Sequence, residues 1–64
     1  MSISQDQAVW ELYRQGLPLI AEEAAERWNQ GQAFELDLDL RLPRSLKNLI
    51  RQCNWELRQR HKAG

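Results

Sequence analysis

A nine-residue segment near the middle of the chain alternates strictly between apolar and charged side chains. The apolar positions are Phe34, Leu36, Leu38, Leu40 and Leu42. The charged positions between them are Glu35, Asp37, Asp39 and Arg41. Because successive side chains of a β-strand point to opposite faces, this two-residue period predicts a strand over residues 33–42. Any fold that contains such a strand must cover its apolar face and provide hydrogen-bond partners for its backbone N–H and C=O groups.

The residues on either side of this segment repeat with the period of an α-helix. Upstream, residues 5–30 carry an apolar face that ends at Gly31, a residue suited to the left-handed conformation that follows a helix. Gly16 and Pro18 interrupt this stretch. The sequence is compatible with one kinked helix and with two separate helices. Downstream, Pro43 suits the start of a helix over residues 43–61. The predicted fold class is therefore α+β, a small helix–(kink)–helix–strand–helix unit.

The predicted strand has no partner in its own chain, because no other segment alternates in this way. Both of its edges would leave backbone N–H and C=O groups unpaired. We expect the strand to pair with its own copy across the two-fold axis of a homodimer. The residues of this dimer strand would be Phe34, Leu36, Leu38, Leu40 and Leu42. Addition of the strand to the sheet of another protein is the alternative that the sequence leaves open.

The length of 64 residues allows one small domain, close to the lower limit for a chain that folds alone. The single cysteine, Cys53, cannot form an internal disulfide and falls on the apolar face of the last helix. We therefore expect a reducing, cytoplasmic compartment. The sequence has no secretory leader pattern and no apolar run near 18 residues, so we expect no association with a membrane.

The net charge of zero conceals an uneven distribution along the chain. Residues 1–40 contain eight acidic and two basic side chains, whereas residues 41–64 contain seven basic and one acidic side chain. Two interpretations are open for this division. The basic half either binds an acidic partner or nucleic acid, or it neutralises the acidic half within the fold or across a dimer.

The last helix carries most of its basic residues on one side, together with a tryptophan. On a helical wheel of 100° per residue, Trp55 lies opposite the arc that contains Leu46, Ile50 and Leu57. The predicted partner-binding residues on that side are Arg44, Lys47, Arg51, Trp55, Arg58 and Lys62. Tryptophan and arginine are enriched at binding hot spots, so the pattern indicates a surface for an acidic protein partner. A solvated charged face, with Trp55 covered by another part of the fold, is the structural alternative.

Residues 37–50 resemble the strand and first helix of ribbon–helix–helix DNA-binding proteins. The resemblance consists of the alternating leucines, the Leu42-Pro43 turn, a small polar residue at Ser45 and the apolar spacing that follows. It implies a DNA- or RNA-binding regulator, which is the alternative function. In that family the outward side chains of the strand contact bases, but here Glu35, Asp37 and Asp39 would repel phosphates. About 14 residues remain after Ile50, which is short for the family's second helix.

No group of residues in the sequence has the spacing of a catalytic, cofactor or metal site. His61 lies near the end of the last helix with no acid or nucleophile predicted beside it, and Cys53 lies among apolar residues. The carboxylates of the alternating segment lie along a flat strand face, which does not converge them on a cation. We therefore expect no enzyme activity, no cofactor, no bound metal and no small-molecule substrate.

Overall fold

The fold consists of three helices joined by two connections. In a computed structural model, the described residues are 3–35 and 41–63, with side chains described as far as residue 60. Helix α1 spans Ile3–Arg14, α2 spans Pro18–Asn29 and α3 spans Arg44–Ala63. Helix α1 packs against both α2 and α3. It therefore forms the centre of the arrangement, with the other two helices beside it.

The turn between α1 and α2 shows that the first half of the chain forms two helices rather than one kinked helix. Gly16 adopts a positive φ of 78°, which is the left-handed conformation that ends a helix. The Gly16 N–H donates to the carbonyl of Tyr13 at 3.0 Å, and the Leu17 N–H donates to the carbonyl of Leu12 at 3.1 Å. These two bonds form a Schellman motif. Pro18 then occupies the first turn of α2, where its missing N–H costs no helical hydrogen bond.

Helix α2 ends with the same arrangement of a glycine and two backbone hydrogen bonds. Gly31 has a φ of 76°, and its N–H donates to the carbonyl of Trp28 at 3.0 Å. The Gln32 N–H donates to the carbonyl of Arg27 at 2.8 Å, which completes a second Schellman motif. The two glycines therefore end the two helices of the acidic half: Gly31 does so where the sequence predicts, and Gly16 ends α1 at the position where the sequence left a kink or a break open.

The core lies between the three helices and the connection that leads into α3. Helices α1 and α2 contribute mostly small side chains, whose size lets the backbones approach closely, together with Leu12 and Trp28. Helix α3 contributes larger side chains at a helical spacing. The buried apolar residues are Ala8, Leu12, Ala21, Ala24, Trp28, Phe34, Leu42, Leu46, Ile50, Cys53 and Leu57.

The predicted α+β class is wrong, because the described residues form helices and contain no strand. Residues 32–35 and 41–43, at the two ends of the alternating segment, have no regular secondary structure. Leu36, Leu38 and Leu40 lie outside the described residues. Phe34 and Leu42 are only 6% and 9% exposed and belong to the core of their own chain. They are therefore not available to a strand-paired dimer.

The alternating pattern led to a wrong strand prediction because the apolar side chains at its two ends are buried without forming a sheet. Phe34 and Leu42 reach the core from an irregular connection, and the backbone of Phe34 finds its hydrogen-bonding partner in a side chain of α3, Asn54. The requirement that a buried backbone group be paired is thus met without a second strand. Among the described residues, no helix has the length and apolar character needed to cross a membrane.

Candidate partner-binding face

Helix α3 has an apolar side and a basic side along most of its length. Leu46, Ile50, Cys53 and Leu57 recur at steps of four, three and four residues and are buried. The opposite side is what we call the basic face, and its described members are Arg44, Lys47, Arg51, Trp55 and Arg58. The sixth predicted residue, Lys62, lies in α3, but its side chain is outside the described part. The amphipathic spacing of α3 thus places the five described residues on one side of one helix.

Trp55 is the apolar centre of the basic face. Its side chain is 54% exposed, although indoles are usually well buried. Arg51 precedes it by four residues and Arg58 follows it by three, so an arginine lies about one helical turn away along α3 on each side. The described fold leaves about half of the indole uncovered, which differs from the structural alternative in which another part of the fold covers Trp55. Trp55 is therefore available for contact with another molecule.

The cations of the basic face differ in how far the fold already uses them. Arg44 and Arg51 are exposed and Lys47 is half-buried, and none of the three forms an ion pair with another described residue. Arg58 lies 3.9 Å from a carboxylate oxygen of Glu35, with both side chains largely exposed. Such a pair contributes little to stability. Among the described residues, internal neutralisation of the basic face therefore involves Arg58 and does not extend to Arg44, Lys47 or Arg51.

Asn54, next to Trp55, makes three hydrogen bonds to other parts of the fold. Its Oδ1 accepts hydrogen bonds from the Trp28 indole Nε1 and from the Phe34 backbone N–H, each at 2.9 Å. Its Nδ2 donates to the Phe34 carbonyl at 2.8 Å. One amide group therefore joins α2, the connection after it and α3. We call Trp28, Phe34 and Asn54 the amide clasp.

The aromatic rings of the amide clasp also contact each other. The Trp28 and Phe34 ring centroids are 6.2 Å apart, with an interplanar angle of 77°, which is an edge-to-face arrangement. Trp28 is 3% exposed and belongs to the core, whereas Asn54 was not identified from the sequence. The available signal was an asparagine in the interior of a helix, where it is a weak helix former, at the edge of the apolar arc.

The one cysteine of the chain is a core residue rather than a reactive group. Cys53 is fully buried, and burial, with a smaller contribution from the charge of Glu56, raises the pKa of its thiol to about 11. A protonated thiol is a poor nucleophile and a poor metal ligand. Across the described residues, no three histidine, cysteine or carboxylate side chains are grouped to hold a metal ion.

The geometry of the basic face suits recognition of carboxylates or phosphates beside an apolar group. The guanidinium groups supply charge and directional N–H donors, and the indole supplies apolar area. No protein-family model matches this sequence, and comparisons with curated proteins and with solved structures gave no significant match.

Proposed function

We propose that this protein is a non-catalytic interaction module that binds an acidic segment of a protein partner through the basic face of α3. The single observation that carries the proposal is the exposed indole of Trp55 on the same side of α3 as Arg44, Lys47 and Arg51, none of which forms an ion pair with another described residue. Burying the indole against an apolar side chain would exclude water. Carboxylates of the partner would then meet Arg51 and its neighbours in a less polar environment than bulk water, which strengthens their attraction.

An acidic protein segment fits this face better than nucleic acid does. Domains that bind nucleic acid are usually strongly basic overall, whereas this chain has a net charge of zero. Glu35 lies beside Arg58 at one edge of the face and would repel a phosphate backbone there. The resemblance to ribbon–helix–helix proteins also required a strand, and the described residues contain none. Nucleic acid remains the competing outcome of the experiment below.

The test uses the three indole N–H signals in an ¹⁵N–¹H correlation spectrum of the whole protein. A helical 16-residue peptide of glutamate, alanine and one central leucine is added to 20 µM protein at low salt. We expect the Trp55 signal to shift in a saturable way, while the signal of Trp28, which is 3% exposed, stays in place. Arg51→Ala should weaken binding at least fivefold. Trp10→Ala, which removes another exposed indole on α1, should leave the affinity unchanged.

A parallel titration with a 12-base-pair DNA duplex separates the two classes of partner. Binding of the duplex that is tighter than that of the peptide, and that falls steeply with salt, would favour the nucleic-acid function. A Trp55 signal that neither titration moves would contradict the proposal. Equal shifts of Trp10 and Trp55 with the peptide would also contradict it, because the contact would then not be specific to the basic face.

A further inference from the structure

Helix α2 carries an outward face whose chemistry is the complement of the basic face. Leu19 is 79% exposed, and Glu22, Glu23 and Glu26 are also exposed. These residues are spaced three, four and seven positions after Leu19, so they follow it along one side of the helix. We call these four residues the acidic face. One large apolar side chain accompanies the acids, as Trp55 accompanies the cations on α3.

Most of the acidic face has no partner in the described structure. Arg27 donates to a carboxylate oxygen of Glu23 at 3.2 Å. Glu22 and Glu26 form no ion pair with another described residue. The buried side of α2 consists of Ala21, Ala24 and Trp28, so the acidic face points away from the core. Each copy of the chain therefore presents two exposed faces of opposite charge.

We propose that the acidic segment bound by the basic face is α2 of a second copy of this chain. The inference rests on the proposed function, and it identifies the partner. Charge complementarity between the two faces and the two exposed apolar residues, Leu19 and Trp55, carry the argument. The contact joins different faces of two copies, so it is heterologous, and assemblies that use it grow into a ring or an open chain.

An antiparallel crossing of the two helices matches their charges. With Leu19 against Trp55, Glu22 lies about 4.5 Å and Glu26 about 10.5 Å along α2, taking a rise of about 1.5 Å per residue. In the opposite direction along α3, Arg51 lies about 6 Å and Lys47 about 12 Å from Trp55. Glu22 therefore meets Arg51, and Glu26 meets Lys47. A parallel crossing would instead use Arg58, which already pairs with Glu35.

The test measures self-association of the whole protein by sedimentation velocity from 10 µM to 1 mM. In 20 mM NaCl, we expect the weight-average mass to rise with concentration, and in 300 mM NaCl we expect association to weaken, since salt screens the charges. Arg51→Glu and Glu22→Arg should each weaken association at least tenfold. An equimolar mixture of the two variants should restore it, because each altered charge then meets its complement.

Arg60→Glu is the matched control, because it makes the same change of charge at an exposed position of α3 outside the basic face. It should weaken association less than twofold. A wild-type protein that stays monomeric at 1 mM in 20 mM NaCl would overturn the inference. So would a mixture of the charge variants that fails to associate, or a control that weakens association as much as Arg51→Glu. The peptide titration is independent of these results, so a monomer that binds the peptide through Trp55 refutes only this inference.

Discussion

A single side chain, Asn54, contacts residues that lie 20 and 26 positions away in the sequence. Its amide is used in both directions, accepting from Trp28 and Phe34 and donating back to Phe34. Phe34 lies in the irregular connection after α2, and the described residues contain no strand that could pair with its backbone. Asn54 therefore satisfies a backbone N–H and a carbonyl that burial would otherwise leave without partners.

Asn54→Ala is expected to lower the free energy of unfolding by about 2 kcal/mol, because it leaves the Trp28 indole and the Phe34 backbone without partners in a partly buried site. Urea denaturation followed by circular dichroism measures the change. Asn48→Ala is the matched control, since Asn48 is an exposed asparagine of the same helix. That control should change stability by less than about 0.5 kcal/mol. Equal effects of the two substitutions would show that the clasp has no energetic role.

The buried thiol of Cys53 gives a second prediction at the level of one residue. At pH 8 the folded protein should react with a thiol reagent far more slowly than the unfolded protein, because burial keeps the thiol protonated and inaccessible. The measurement compares the rate of colour release from an aromatic disulfide reagent with and without 6 M urea. Comparable rates in the two conditions would show that Cys53 is accessible in the fold.

The raised pKa of Cys53 also predicts a dependence of stability on pH. The folded pKa of about 11 lies above the ordinary value of 9.0, so the folded state holds its proton more tightly than the unfolded state. The corresponding stability is fully present below pH 9 and is lost as the pH rises from 9 through 11. Cys53→Ala lacks this contribution, so wild type should lose more free energy of unfolding than the variant between pH 8 and 11. Parallel pH profiles would contradict the raised pKa.

At the scale of secondary-structure elements, the sequence predicted the helices and failed at the connection between α2 and α3. The end of α2 was predictable because Gly31 supplies the positive φ that its turn requires, whereas a kink and a break at Gly16 could not be distinguished from the sequence. The conformation of the alternating segment was not predictable. Alternation shows which side chains are apolar, but it does not show which groups form hydrogen bonds with the backbone. Phe34 shows the difference, since its hydrogen bonds go to a side chain on a helix.

Gly16→Ala tests the turn between α1 and α2. A methyl group at Gly16 would meet no heavy atom within 4 Å, so the change introduces conformational strain without a steric clash. We expect a loss of about 1 kcal/mol in the free energy of unfolding, because an L-residue pays to adopt positive φ. Gly16→Asn should lose less, since asparagine tolerates this conformation. A Gly16→Ala variant as stable as wild type would contradict the turn.

The basic face was largely predictable because it depends only on the regular rotation of residues along α3. Trp55 and Arg51 are exposed where the helical wheel places them, and Leu46, Ile50 and Leu57 are buried on the other side. Two facts about the face were not predictable. The ion pair of Arg58 with Glu35 and the clasp at Asn54 are contacts between distant segments, and they arise only once α3 has packed against the rest of the chain.

At the scale of the whole molecule, the packing is uneven. Helix α1 contacts both neighbours, whereas the Trp28–Asn54 hydrogen bond provides a direct polar link between α2 and α3. Separation of either outer helix from the rest would break this bond or expose the core around it. We therefore expect the three helices to unfold as one cooperative unit.

Hydrogen exchange of the three indole N–H groups tests that cooperativity. The Trp28 N–H should exchange only through global unfolding, with a free energy close to that from urea denaturation, because it is buried and bonded to Asn54. The Trp10 and Trp55 side chains are exposed, so their N–H groups should exchange rapidly. A Trp28 exchange free energy well below the global value would show that α2 or α3 detaches locally.

The amide clasp has a consequence for the neighbouring tryptophan. Apolar contacts by themselves tolerate a modest turn of a helix about its axis, because the hydrophobic effect is not directional. Three hydrogen bonds at Asn54 do not tolerate it, since each depends on direction. Each residue advances the helix by about 100°, so fixing the azimuth of Asn54 also fixes that of Trp55. The direction in which the exposed Trp55 indole points is therefore determined by the hydrogen bonds of Asn54, the preceding residue, whose amide faces the interior.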